Sequence, residues 1–79
     1  MKNHATTLNL LQLGQSAKVV ELDMENAVSQ RLLGLGLRPG TTVKIAQIAP
    51  LGDPVAVDFE DGRISLRRAE AAAIKVEPI

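Results

Sequence analysis

Val55-Ala56-Val57-Asp58-Phe59-Glu60-Asp61-Gly62-Arg63-Ile64-Ser65-Leu66 is the stretch from which the fold class follows. Val55, Val57 and Phe59 alternate with Ala56, Asp58 and Glu60, the period of two expected of a strand buried on one face. Asp61-Gly62 is a two-residue hairpin signal. Arg63 to Leu66 then returns antiparallel, with Ile64 and Leu66 facing inward. Phe59, the one aromatic residue of the chain, falls on the inward set. The core must therefore be built from Leu, Ile, Val and Ala.

Upstream of this hairpin, Pro50-Leu51-Gly52-Asp53-Pro54 reads as a five-residue loop bounded by prolines, which cannot donate to a ladder. Thr41 to Ala49 is a strand with Val43 and Ile45 on one face. Ile48 breaks its alternation, since a strict period of two would turn Gln47 inward, so a bulge or strong bend is expected there. Pro39-Gly40 forms the preceding turn: proline presets φ and glycine tolerates positive φ. From Met24, apolar residues recur at Ala27, Val28, Leu32 and Leu35, one face of a helix, with Glu25, Ser29 and Arg31 outside it. Asp23 is the expected N-cap, and Gly34 and Gly36 end the helix. Ala17 to Leu22 is the first strand.

Downstream, Arg67 to Ala73 is a short alanine-rich helical turn, and Ile74-Lys75-Val76 is a closing strand stopped by Pro78. At the other end, residues 1–7 are polar and aperiodic and are expected to be a disordered leader. Leu8, Leu10, Leu11 and Leu13 follow as a short turn docking on the domain. Residues 8–79 then form one domain, with no linker, repeat or low-complexity segment. Five short strands in so little chain leave exposed edges if the sheet stays open. Curling into a barrel removes most of them. The expectation is a mainly β fold, a small SH3-like barrel of about five strands with one short α-helix inserted after the first strand.

The chain has 79 residues, of which 46% are hydrophobic and 23% charged, which suits one folded domain. Nine Lys plus Arg balance nine Asp plus Glu, so no net basic field draws it to nucleic acid or an anionic membrane. Cysteine is absent, which removes disulfides, thiolate zinc sites and thiol catalysis together. The start of the chain lacks the apolar run of a signal peptide, and no stretch approaches the roughly 20 apolar residues of a transmembrane helix. A cytoplasmic location is expected.

The side chains offer little chemistry. His4 is the single histidine and falls in the leader. Asp58 and Glu60 share a strand face, an arrangement more typical of a solvated surface than of a hard-cation site. Gly34-Leu35-Gly36-Leu37-Arg38-Pro39-Gly40 lacks the Lys-Ser/Thr ending of a P-loop and follows a helix instead of opening one. Ser65 has no ordered histidine as base. The reading is therefore not an enzyme, with no cofactor, no bound metal and no small-molecule substrate. Arg63, Arg67 and Arg68 with Lys18 or Lys44 could make a basic patch, but base-stacking platforms are lacking. Arg67 and Arg68 are read as solvated or paired with Glu70. Recognition of another protein remains: Leu51 on its proline-bounded loop and Leu37 beside Arg38 and Pro39 are anchors if exposed. The opposing expectation for Leu51 is that it folds back to cap the barrel.

Three segments carry a family resemblance. Arg31-Leu32-Leu33-Gly34-Leu35-Gly36-Leu37-Arg38-Pro39-Gly40 resembles the helix end and turn of the FeoA family, ferrous iron transport protein A. Ala49-Pro50-Leu51-Gly52-Asp53-Pro54 is similar to its second signature, and Ser65-Leu66-Arg67-Arg68-Ala69-Glu70-Ala71 to its third. The likeness covers roughly residues 8 to 77; Gly34 stands where a more polar residue is usual. The resemblance implies an SH3-like barrel supporting ferrous iron uptake by FeoB, a polytopic membrane protein with a cytosolic GTP-binding domain. It implies a cytoplasmic accessory protein, recruited to the inner face of the membrane through contact with the cytosolic side of FeoB, that tunes nucleotide turnover or gating. The contact residues expected on this basis are Leu37, Arg38, Pro39, Leu51, Gly52 and Asp53. Gly36, Gly40, Pro50 and Pro54 shape the loops. The alternatives are a direct ferrous ion carrier using carboxylates alone and a weak nucleic-acid-binding barrel. Self-association through a barrel edge or the apolar loops is compatible with the main reading.

Overall fold

The computed structural model describes residues 5–79. In chain order it contains β1 (Thr6–Thr7), a 3₁₀ turn (Leu8–Leu10), β2 (Ser16–Leu22), α1 (Ala27–Gly34), β3 (Thr42–Ile48), β4 (Val55–Phe59), β5 (Gly62–Leu66), α2 (Arg68–Ala71) and β6 (Ile74–Pro78). The strands form one sheet in the order β1-β6-β2-β3-β4-β5, and every pairing is antiparallel. Six strands replace the expected five because Thr6 and Thr7 pair with Val76 and Lys75. The expected leader over 1–7 is thus wrong at Thr6 and Thr7. Residues 1–4 of that leader, His4 included, lie outside the described residues. α2 packs on the 3₁₀ turn, which draws the two ends of the sheet toward each other.

The core is aliphatic, as the composition requires. Ala17, Val19 and Leu22 of β2, Val43 and Ile45 of β3, Val55 and Val57 of β4, Leu66 of β5, and Ile74 and Val76 of β6 are buried. Each large side chain contributes about 1.5–3 kcal/mol on leaving water. Leu8 and Leu11 dock on this core as expected, whereas Leu10 and Leu13 are exposed. Phe59 and Ile64 are half-buried against it.

Two bulges adjust the registers. In β3 the register shifts between Ile45 and Gln47, where the sequence pattern breaks, which leaves Gln47 exposed and Ile48 packed on the core. In β2 a second shift between Val19 and Glu21 was not anticipated; it turns Glu21 out and Leu22 in. The β4–β5 loop is Glu60-Asp61, one residue earlier than the Asp61-Gly62 expected, because Phe59 pairs with Gly62.

The helix departs most from expectation. It starts at Ala27, and its N-cap is Asn26, whose Oδ1 accepts from the Val28 N–H at 2.8 Å. Asp23 instead accepts from the Glu25 N–H at 3.2 Å and closes a turn before the helix. The buried face carries Leu32 and Ser29, with Val28 half-buried; Met24 and Leu35 are exposed. Ser29 Oγ has no hydrogen-bond partner among the described residues. The stop explains the rotation. Gly36 at φ +105° lets its N–H reach the Leu33 carbonyl at 3.1 Å and the Leu37 N–H reach the Leu32 carbonyl at 3.0 Å. This is a Schellman motif, and its usual apolar contact is supplied by Leu32 and Leu37, both fully buried. Leu37 therefore fills the core position that the helical period assigned to Leu35.

Candidate functional site

The loop between β3 and β4 is built as a rigid projection. The Gly52 N–H donates to the Ala49 carbonyl at 2.7 Å and the Ala49 N–H to the Pro54 carbonyl at 3.1 Å. Pro50 occupies the first central position of this turn, where its fixed φ is favoured, and Gly52 closes it at φ +89°. Leu51 stands at the apex and is 96% exposed. It does not fold back on the barrel, so the exposed alternative holds. Asp53 is exposed, and its Oδ1 accepts from the Arg68 N–H at 3.1 Å.

Arg68 fixes the projection from behind. Its Nε donates to the Gly52 carbonyl and its Nη1 to the Asn9 carbonyl. One half-buried guanidinium thus links the β3–β4 loop, the start of α2 and the 3₁₀ turn. The planar fork of arginine suits such bridging; lysine would offer a single point charge. The expectation that Arg68 is solvated or paired with Glu70 is wrong. Glu70 instead accepts from the Arg67 N–H at 2.9 Å and lies 3.9 Å from Arg31. Leu10, next to Asn9, is a second large apolar residue exposed at this end. Sequence reasoning missed it by treating the four leucines of the turn as one docking group.

Arg38 and Pro39 are exposed on the connection from α1 to β3, where the Thr41 N–H donates to the Arg38 carbonyl at 3.0 Å. Gly40, at φ +95°, donates to the Val19 carbonyl at 2.8 Å. With Lys44 and the residues from Asp58 to Asp61, this connection borders an open cleft of about 620 Å³. Within it Asp58 is held by Arg63, with Nε–Oδ1 at 2.6 Å and Nη2–Oδ2 at 3.2 Å. That hydrogen bond, then the guanidinium charge, lower the Asp58 carboxyl below its ordinary value and raise Arg63.

The six residues expected to form one contact surface are not brought together. Leu37 is fully buried in the Schellman stop and is removed from the set. Arg38 and Pro39 precede β3, whereas Leu51, Gly52 and Asp53 follow it. The seven residues of β3, about 3.3 Å each, hold these two groups roughly 20 Å apart. Leu51, Gly52 and Asp53 stay together, and Arg68 ties them to Asn9, whose chain neighbour Leu10 is exposed. Among the described residues no three His, Asp or Glu side chains converge as a metal site. Among the described residues no helix is long and apolar enough to cross a membrane.

Comparison with known proteins agrees with this architecture. The family model for the FeoA domain matches residues 6–78. The Fe(2+) transport protein A/Fe(2+) transporter FeoB fusion protein of Porphyromonas gingivalis (strain ATCC BAA-308 / W83) is 39% identical over 72 residues, covering 91% of this chain. The chain matches only 8% of that much longer relative. The solution structure of a FeoA-like protein from Clostridium acetobutylicum superposes with a TM-score of 0.89 at 32% identity, covering 100% of this chain and 91% of that one. FeoA of Stenotrophomonas maltophilia, an SH3 domain protein complexed with zinc, gives 0.79 at 32% identity over 90% of this chain and 88% of its own. The expected SH3-like fold is thereby shown, and the chain belongs to the FeoA domain family.

Proposed function

We propose that this protein is an accessory factor of ferrous iron uptake that works by docking on the cytosolic side of FeoB, at the inner face of the membrane. The observation that carries the reading is the Porphyromonas gingivalis fusion protein, in which a segment 39% identical to this chain shares one polypeptide with FeoB. Fusion makes the two parts neighbours, and a separate chain would have to achieve the same proximity by binding.

The docking surface in this reading is the projection carrying Leu51, Gly52 and Asp53. A large apolar side chain carried at 96% exposure on a hydrogen-bonded loop needs little further ordering of its backbone when it binds. Buried apolar anchors of this kind dominate interface energies. Arg38 and Pro39, at the far end of β3, stand outside this surface. Docking influences transport only if the protein binds two states of FeoB with different affinity, shifting their populations toward the tighter one. Nucleotide turnover or gating in FeoB is the step so tuned.

The test is retention of detergent-solubilised FeoB on immobilised protein. Wild type retains FeoB, and Leu51→Asp loses it while keeping its thermal midpoint. Equal retention by Leu51→Asp overturns this surface as the docking site.

A further inference from the structure

The two outermost strands, β1 and β5, are not joined by a ladder, so β5 presents a backbone edge of five residues. The Ala49 N–H donates to the Pro54 carbonyl, which sets which residues of β4 face which neighbour. Pro54, and by alternation Ala56 and Asp58, face β3; Val55, Val57 and Phe59 face β5. Their partners Leu66, Ile64 and Gly62 therefore spend their backbone groups on β4. The N–H and C=O groups of Arg63 and Ser65 point away from the sheet, and no described residue bonds to them. Natural edges are usually guarded by proline or by a free charged side chain, especially lysine. β5 has no proline or lysine, and its one charge, Arg63, is held on the neighbouring strand by both oxygens of Asp58.

We propose that a second copy of this chain pairs antiparallel along β5, about a two-fold axis through Ile64. Charge selects this register. Centring the axis on Arg63 sets two Arg63 side chains opposite each other, and centring it on Ser65 sets Arg63 against the partner's Arg67; both oppose like charges. Centring on Ile64 pairs Arg63 with the partner's Ser65, so that both outward N–H and C=O sets are satisfied. The two Ile64 side chains, each half-buried in the monomer, meet at the closer non-hydrogen-bonded position. At the strand ends exposed Asp61 comes opposite the partner's exposed Arg67. The residues that pair, Asp61, Arg63, Ile64, Ser65 and Arg67, are distinct from Leu51, Gly52 and Asp53, although Arg67 borders Asp53 and Pro54 where the edge ends.

Sedimentation velocity from low micromolar to millimolar protein tests the proposal, together with amide exchange followed by NMR on the unmodified chain. The expected result is a weak, concentration-dependent dimer in which the Arg63 and Ser65 amides gain protection as concentration rises. Ser65→Pro removes an outward N–H without touching the β4 ladder and is expected to hold the chain monomeric. Arg67→Asp sets two acidic groups opposite each other and weakens the dimer, and adding Asp61→Arg to it restores pairing. A monomer at every concentration overturns the proposal, as does a dimer that leaves the Arg63 and Ser65 amides freely exchanging. The wild-type exchange data decide the matter even if Ser65→Pro fails to fold.

Discussion

The Nε of Arg68 donates to the carbonyl of Gly52, sixteen residues away in the chain, while its Nη1 reaches the carbonyl of Asn9. A single side chain thus holds Leu51, the most exposed large apolar residue among the described residues, in a fixed place relative to the 3₁₀ turn. The link runs from sequence through packing to function: remove the fork, and the loop keeps its own turn but loses its anchorage.

Arg68→Ala leaves two half-buried carbonyls without their donor. Hydrogen bonds from a charged donor contribute about 1.5–3 kcal/mol each, part of which water restores at a half-exposed site. The expected loss of stability is about 1–3 kcal/mol by urea unfolding, with faster amide exchange at Gly52 and weaker retention of FeoB. Arg68→Lys recovers only part, since an ammonium lacks the planar fork.

Leu37 and Leu51 make a contrasting pair, one wholly buried and the other almost wholly exposed. Leu37→Ala opens a cavity beside Leu32 and costs about 2–5 kcal/mol, enough to threaten a domain of this size. Leu51→Ala changes stability by less than about 0.5 kcal/mol. Parallel urea titrations check both values; a small loss at Leu37 would contradict its place in the helix stop.

The glycines of the helix end separate in the same way. Gly36 sits at φ +105°, a conformation that side chains rarely adopt, and a Cβ there would also have to push aside the Asp61 carboxylate. Gly36→Ala is expected to cost more than about 1 kcal/mol. Gly34 closes α1 with nothing within 4 Å of its would-be Cβ. Gly34→Ala is expected to stabilise by up to about 1 kcal/mol, through better helix propensity. Thermal unfolding of the two variants checks the opposite signs.

Asp58 gives the fold a pH dependence with a definite sign. Its carboxyl is lowered from the ordinary 3.8, first by the hydrogen bond from Arg63 and then by the guanidinium charge, with desolvation opposing. A carboxyl lowered in the folded state contributes stability that is fully present above the unfolded value and lost as pH falls through the folded one. Asp58→Asn is therefore expected to be less stable than wild type at neutral pH, with the gap closing below about pH 4. Thermal midpoints measured against pH for both proteins check this; a gap that persists in acid would contradict it.

The sheet was legible because period-two alternation survives in Val43–Ile45 and Val55–Phe59, and because Pro and Gly mark the loops between them. The bulge near Gln47 announced itself as a break in that period. The bulge in β2 gave no such warning, since Val19 and Val20 are equally apolar and only tertiary packing chooses between them. The helix was misread for a physical reason: Met24 and Leu35 keep the helical period but lie outside Ala27–Gly34. Glycine at 36 followed by leucine at 37 was the available signal for the Schellman stop, and it would have placed Leu37 in the core. β1 was missed because two threonines carry no periodicity. At the candidate site the exposure of Leu51 matched one of two readings held open. The role of Arg68 was hidden, because a bond between residues 9 and 68 has no local signature.

The most direct test of the account is an NMR titration of labelled protein with the cytosolic GTP-binding domain of its cognate FeoB, run without nucleotide, with GDP and with a non-hydrolysable GTP analogue. The account predicts shifts clustered on Leu51, Gly52, Asp53 and Leu10, with Arg38 and Pro39 unmoved, and an affinity that differs between the nucleotide states. Shifts centred instead on Arg38, Pro39 and the Asp58–Asp61 turn would contradict it, and no shifts in any state would remove the GTP-binding domain as the docking site.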